Sequence, residues 1–362
     1  MNIFQRSLTV LTVAAALLGG VWPEGSASLS FGAAGQDSGK IKVACSIPAL
    51  RSIAAEVAGD GFEVFALSKP DQDVHHISPT PLLVNRVRAA SVFIEIGLQL
   101  EIWVPEILNN AANPRIVLGA EGHVVASAGI PREDMPEFLD RKQGDIHPEG
   151  NPHIWLDPLR AKGIAENIAT GLKKVAPARA EEIDRRLENF KARIDEAVFG
   201  ADLVKLVGSK KLARLTQDGE LWKWLQENEA DGAKLSTKLG GWLKKGEPLR
   251  GVAVIEFHRT WVYLVKLLGF EIVGAIEPKP GIEITAKHYS WLVETVKARN
   301  ARLTLVDNFY NPAAPRRLAE ETGAKVVILP GQPGGEPGTD EYIAFVDRVV
   351  TKMVDGLKGE GK

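Results

Sequence analysis

Asn151-Pro152-His153-Ile154-Trp155-Leu156-Asp157-Pro158 joins a rigid lead-in to a firm helix start. The Asp157 carboxylate can accept the first free backbone N–H groups, and Pro158 fits the first helical position, where its missing donor costs nothing. Ile164, Ile168 and Leu172 then recur at helical spacing. His153 is thus held four residues ahead of a nucleated helix, with Trp155 beside it. Alone, it reads most simply as a solvated loop histidine; the other histidines decide the matter.

Upstream, strands alternate with helices. Lys40 to Ser46 reads as a strand, Pro48 to Val57 as a helix, and Phe62 to Ala66 as a strand. A polar loop, Ser68 to Ser78, leads to a helix ending at Val87. Val92 to Ile96, Ile102 to Leu108 and Arg115 to Leu118 read as strand, helix and strand. Downstream the same rhythm resumes, with strands at Gly251–Ile255, Phe270–Ala275, Leu303–Val306 and Lys325–Leu329. Helices run to Leu268, over Thr285–Ala298 and Ala314–Glu321 (stopped by Gly323), and from about Asp340. This alternation predicts βα units on mainly parallel sheets, an α/β fold in two halves.

Between the halves, Ala178 to Val198 is charged, free of proline and apolar at Ile183, Leu187, Phe190 and Ile194. It reads equally as an interdomain strut or as a surface helix of one half. Leu203 to Pro248 breaks the rhythm and reads as an inserted helical excursion. Trp222 with Leu225, or Trp224 with Leu221, can form its buried face; docking of a partner is the weaker alternative.

At 362 residues the chain suits two domains, and a net charge of −2 with interspersed signs offers no basic footprint for nucleic acid. Arg6, the apolar run Leu8–Leu18 and the small residues after it read as a secretory signal peptide, 1–27. A single cysteine, Cys45, lies inside the first strand, so neither an internal disulfide nor a lipid-anchored N-terminus is expected.

The histidines fall where a site belongs. His75 lies in the loop after the second strand, His258 follows the strand Gly251–Ile255, and Asp307 ends the strand Leu303–Val306. In open α/β sheets ligands bind outside the carboxyl ends of strands, and His153 can face the same crevice. Several imidazoles with a carboxylate suit a first-row divalent cation, zinc first and manganese second. Asp307 reads equally as a backbone cap. His76 should point away from His75, and His123, His147 and His288 read as solvated. No Ser-His-Asp, Cys-His, Walker or dinucleotide motif is present.

On these residues the chain resembles the periplasmic zinc- and manganese-binding proteins of ABC importers. Pro152-His153-Ile154-Trp155-Leu156-Asp157-Pro158 is similar to that family's His-x-Trp-Leu-Asp-Pro segment. Asp73-Val74-His75 with Pro79-Thr80-Pro81 resembles its Asp-Pro-His…Pro-Thr-Pro, and Gly97-Leu98-Gln99-Leu100-Glu101-Ile102-Trp103 its Gly-x-x-Leu-Glu-x-Trp. Phe257-His258 with Tyr263 resembles the segment carrying a third ligand. The resemblance implies an N-terminal lobe (40–176), one long linking helix (177–202) and a C-terminal lobe (203–362, insertion 203–248), with the metal in the interlobe cleft. It implies His75, His153 and His258 as zinc ligands. The chain departs from the family at the fourth ligand: Pro330 stands where members often have aspartate, and Val74 where some have glutamate. Asp307 is the candidate, water the alternative, and Glu336 or Asp340 are outsiders.

The expected function is therefore capture of Zn²⁺ outside the cytoplasm, as a monomer, for delivery to an ABC permease in the inner membrane. Catalysis is not expected. The alternatives are a manganese-binding importer component and a zinc-dependent hydrolase, since three histidines and a water also make a catalytic site.

Overall fold

The computed structural model describes residues 39–135, 147–277, 281–282 and 284–359. The signal peptide expected at 1–27 lies outside them. Lys40–Lys362 form a single unit, built of two lobes.

The N-terminal lobe carries a parallel sheet of β1 (Ile41–Cys45), β2 (Phe62–Ala66), β3 (Val92–Glu95) and β4 (His123–Val125), ordered β2-β1-β3-β4. Helices α1 (Pro48–Ala58), α2 (Pro81–Arg88) and α3 (Val104–Ala111) connect them. Each opens with proline in its first turn. Arg115 to Leu118, expected as a strand, forms turns instead. Of that run Ile116 is buried while Val117 and Leu118 are exposed, so it has no second face to cover. The sheet edge is taken by β4, whose leading histidine hid its strand character.

Helix α4 (Pro158–Val175) begins as the sequence predicts: the Asp157 carboxylate accepts from Leu159 N–H at 2.8 Å, a cap worth about 1 kcal/mol. Helix α5 (Ala180–Phe199) follows and packs along α4, α1 and later helices. The excursion is helical: α6 (Ala201–Val207), α7 (Ser209–Gln217), α8 (Leu221–Glu227), a hairpin of β5 (Glu229–Ala230) and β6 (Ala233–Lys234), then α9 (Gly241–Lys245). Leu221 and Leu225, one turn apart, form the buried face of α8. Trp222 and Trp224 are half-buried under Arg250 and Lys211 at 3.8 and 4.3 Å.

The C-terminal lobe contains β7 (Ala253–Glu256), β8 (Glu271–Ala275), β9 (Leu303–Asp307) and β10 (Lys325–Leu329), all parallel, ordered β10-β9-β7-β8. Its helices are α10 (Val262–Leu268), α11 (Ala286–Arg299), α12 (Ala313–Thr322) and α13 (Tyr342–Lys358). Gly323 closes α12 in the left-handed region that glycine tolerates, at φ 80°. Read from the second strand, both sheets run second-first-third-fourth, so the lobes repeat one topology.

One apolar core runs through both lobes and the helices between them, from Leu50 and Ile53 of α1 through Ile168 and Phe190 to Phe345 and Val350 of α13. Smaller clusters cover the outer face of each sheet, around Phe93 and Ile107 and around Ile255 and Leu292. Polar staples join the two lobes. Gln332 Oε1 accepts from Ala49 N–H at 3.0 Å, Ser52 Oγ donates to the Asp340 carbonyl at 2.9 Å, and the Tyr342 hydroxyl donates to the Trp155 carbonyl. A shared core of this kind permits small lobe movements and resists wide opening.

Candidate metal centre

Each imidazole is delivered by a separate local device. The polar loop after β2 carries His75, whose N–H is held by Asp73 Oδ1 at 3.0 Å. The carbonyl of Val74, one residue earlier, accepts from Trp103 Nε1 at 3.0 Å. Trp103 in turn follows a turn with three successive left-handed residues, Gly97, Leu98 and Gln99. Glu101 pins that turn by accepting from the Ile96 and Gly97 N–H groups at 2.8 and 3.1 Å and from Ser46 Oγ at 2.7 Å. The Gly97–Trp103 segment therefore shapes the seat of His75.

His153 sits just ahead of the turn that enters α4, with Trp155 5.2 Å from its ring centre. Its Nδ1 lies 2.9 Å from Asn151 Oδ1, an acceptor, so Nδ1 carries the ring proton and Nε2 is bare. His258 follows β7, and its Nδ1 lies 2.7 Å from Glu277 Oε2, which leaves its Nε2 bare as well. Carboxylate or carbonyl partners of this kind orient metal-binding imidazoles.

The three rings converge. His75, His153 and His258 are all buried, and each offers a nitrogen within 4.8 Å of the others. Their ring centres stand 5.2 to 5.4 Å apart, and the Nε2 atoms of His75 and His153 lie 3.3 Å apart. Burial, reinforced by the neighbouring imidazoles, holds His75 and His153 well below the usual histidine range. Both are neutral at pH 7, the form that binds a cation. At His258 burial acts in the same direction, but the Glu277 carboxylate, with Asp307 and Glu256 beyond it, outweighs it and raises the pKa.

Asp307 lies behind His258. Its Oδ2 accepts from Thr260 Oγ1 at 3.1 Å, while its Oδ1 is buried without a hydrogen-bond partner. Burial pushes its pKa up to about 7 despite the attraction of His258. It is not within the tight group of imidazole nitrogens. Of the outsiders, Glu336 pairs with Lys352 and Arg348, and Asp340 lies in the loop stapled to Ser52.

Three histidines expected to be solvated are not. His123 has a side chain only 2% exposed, against Glu95 at 2.8 Å, and its ring stacks with Phe93. His288 Nε2 lies 2.8 Å from the Ala275 carbonyl, and its ring stacks on Trp291. His147 comes to 5.3 Å from the His75 ring, at the margin of the group. Sequence spacing carried no sign of this, because the loop before Gly150 has no periodicity. His76 is exposed, as expected, though the reason is a turn over Asp73–His76 and not strand alternation, since Val74 and His75 are both buried.

Two α/β lobes of repeated topology, with packed helices between them, thus meet at three buried imidazoles. The chain belongs to the family described as zinc-uptake complex component A, periplasmic, whose sequence model matches residues 43–198 and 225–356. Residues 199–224, from the end of α5 into α8, are unmatched. The chain is 25% identical over 299 residues to the zinc-binding protein AdcA of Streptococcus pyogenes, covering 80% of this chain and 50% of that one. It thus spans about half the length of the streptococcal proteins it matches. It is 24% identical over 321 residues to the iron-binding protein YfeA of Yersinia pestis, covering 88% and 86%. Among solved structures, a zinc-bound deletion mutant of ZnuA shares the fold at TM-score 0.63 and 21% identity, over 88% of this chain and 98% of that one. A manganese-bound periplasmic metal-binding protein of Candidatus Liberibacter asiaticus shares it at 0.62 and 16%, over 88% and 100%.

Proposed function

We propose that this chain captures Zn²⁺ in the interlobe cleft and delivers it to an ABC-type importer in the membrane. The observation that carries this reading is the convergence of three buried imidazoles from both lobes, two of them with Nε2 bare. A nitrogen-rich donor set suits zinc over manganese, which favours oxygen ligands. His75, His153 and His258 hold the cation. Asp307 completes the shell, since its buried Oδ1 lacks a partner and a nearby cation would offset the cost of its burial. The protein is exported by its signal peptide, 1–27, works as a monomer in the periplasm and binds without turnover. Its lobes, 40–176 and 203–362, turn about the 177–202 helix.

A competition titration of metal-stripped protein with Zn²⁺ and Mn²⁺ tests this reading. One equivalent of zinc, held about nanomolar (roughly −12 kcal/mol) and not displaced by excess manganese, is expected. Absence of binding, or preference for manganese, would overturn it.

A further inference from the structure

Asn151 stands where the lobes meet, and all of its polar groups are engaged. Its Oδ1 accepts from the His153 backbone N–H at 3.0 Å and faces the His153 ring at Nδ1. Its Nδ2 donates to the carbonyl of Arg259, the residue after His258, at 2.7 Å. Its own carbonyl accepts from the Tyr263 hydroxyl at 2.5 Å, and its N–H donates to the Glu133 carbonyl at 2.9 Å. Two backbone partners fix which way the side-chain amide lies. A peptide N–H can only donate and a carbonyl can only accept, so oxygen faces His153 and nitrogen faces Arg259.

One short side chain thus touches both ligand-bearing segments. On the N-terminal side it sets the tautomer of His153, and on the C-terminal side it grips the backbone next to His258. The Arg259 guanidinium strengthens the same seam by meeting both carboxylate oxygens of Asp134, at 2.7 and 2.8 Å. Paired charge-assisted bonds of this kind hold orientation as well as distance.

We propose that Asn151 couples the ligands of the two lobes. Separation of the lobes pulls the Arg259 carbonyl from Nδ2, withdraws His258 and frees the amide that holds the His153 ring, so that opening and metal release are one event. Asn151 is a positioning residue, and this role rests on the metal-binding reading above.

Two readouts test it: imidazole ¹⁵N spectra of the metal-free protein, and zinc loss to a chelator in excess. In the wild type, His153 is expected with its proton on Nδ1. Asn151→Asp keeps an acceptor for that proton but loses the donor to Arg259. It is expected to keep the tautomer and release zinc about tenfold faster, while Asn151→Leu mixes the tautomers and releases it about a hundredfold faster, the range of second-layer ligand supports. Thermal melts establish that each variant folds, and Asn151→Asp, nearly isosteric, decides the matter if the leucine variant does not. A wild-type His153 protonated on Nε2, or Asn151→Asp releasing zinc at the wild-type rate, overturns the coupling alone. A wild-type protein that binds no zinc overturns the metal reading as well.

Discussion

The Nε2 atoms of His75 and His153 lie 3.3 Å apart, although they come from segments 78 residues distant. Two nitrogens on one tetrahedral zinc, each at about 2.0–2.1 Å, stand about 3.3 Å from one another. The folded chain therefore presents this pair at ligand spacing. Because the His153 Nδ1 proton is directed to Asn151, the hydrogen between the two Nε2 atoms belongs to His75. A cation that takes both nitrogens displaces it.

Replacement of His153 removes one of the three nitrogens and leaves the other two without a tetrahedral partner. His153→Ala is expected to weaken zinc binding by about two orders of magnitude or more. The fold should lose only about 1 kcal/mol, because Asp157 and Pro158 still start α4. Calorimetry with a parallel thermal melt checks both; an unchanged affinity would remove His153 from the ligand set.

Glu277 acts through His258. Without its carboxylate the ring no longer has reason to keep its proton on Nδ1, and Nε2 is protonated in part of the population. Glu277→Ala should weaken zinc binding about 10- to 100-fold with little change in stoichiometry. Binding as tight as in the wild type would show that another group orients the ring.

The pH dependence has a definite sign. Against burial, which lowers it, Glu277 raises His258 above 6.5, so among the three imidazoles it is the first to take a proton as pH falls. His75 and His153, lowered well below 6.5, stay neutral through that window. Zinc affinity should therefore start to fall above pH 6.5, by about tenfold per pH unit while one proton competes. Asp307, at about 7, gives up its proton to a cation beside it, so Asp307→Asn should reduce the protons released on binding near neutral pH. Calorimetry in buffers of differing ionisation enthalpy measures that count. A flat affinity between pH 6 and 8 would contradict the assignment of His258.

Much of this was legible in the sequence because local chemistry is explicit there. Asp157-Pro158 announced α4, and β2 and β10 begin and end where their apolar runs do. The candidate site was legible through strand ends, since His258 and Asp307 follow or end strands of a parallel sheet, where ligands are usually presented. Partners supplied by tertiary contact were not. Nothing in the order of residues pairs Glu277 with His258, which meet from the loops after two neighbouring strands, or Asn151 with Arg259, which meet from different lobes. The turn at Arg115–Leu118 misled for the converse reason, since an apolar run of three residues carries no record of which side chains find cover.

Glu101 and Trp103 belong to one segment but should fail in different ways. Removal of the Glu101 carboxyl strands the Ile96 and Gly97 N–H groups and the Ser46 hydroxyl, and releases a turn with Leu98 and Gln99 in the left-handed region. Glu101→Ala should cost about 3 kcal/mol at acid pH, the sum expected for buried partners left unsatisfied. Burial and the nearby Glu95 push the Glu101 pKa up to about 8, against hydrogen bonds that favour the anion. A folded pKa above the unfolded value means that the group's contribution is complete below the unfolded pKa and is lost as pH rises through the folded one. The penalty of Glu101→Ala should accordingly shrink between about pH 5 and about pH 8, where the folded carboxyl begins to ionise. Trp103→Phe keeps the apolar bulk and drops only the N–H that holds the Val74 carbonyl, next to His75. It should weaken zinc binding severalfold while moving the denaturation midpoint little. Denaturant titrations at the two pH values, with zinc calorimetry on both variants, separate a residue that supports the lobe from one that seats its ligand.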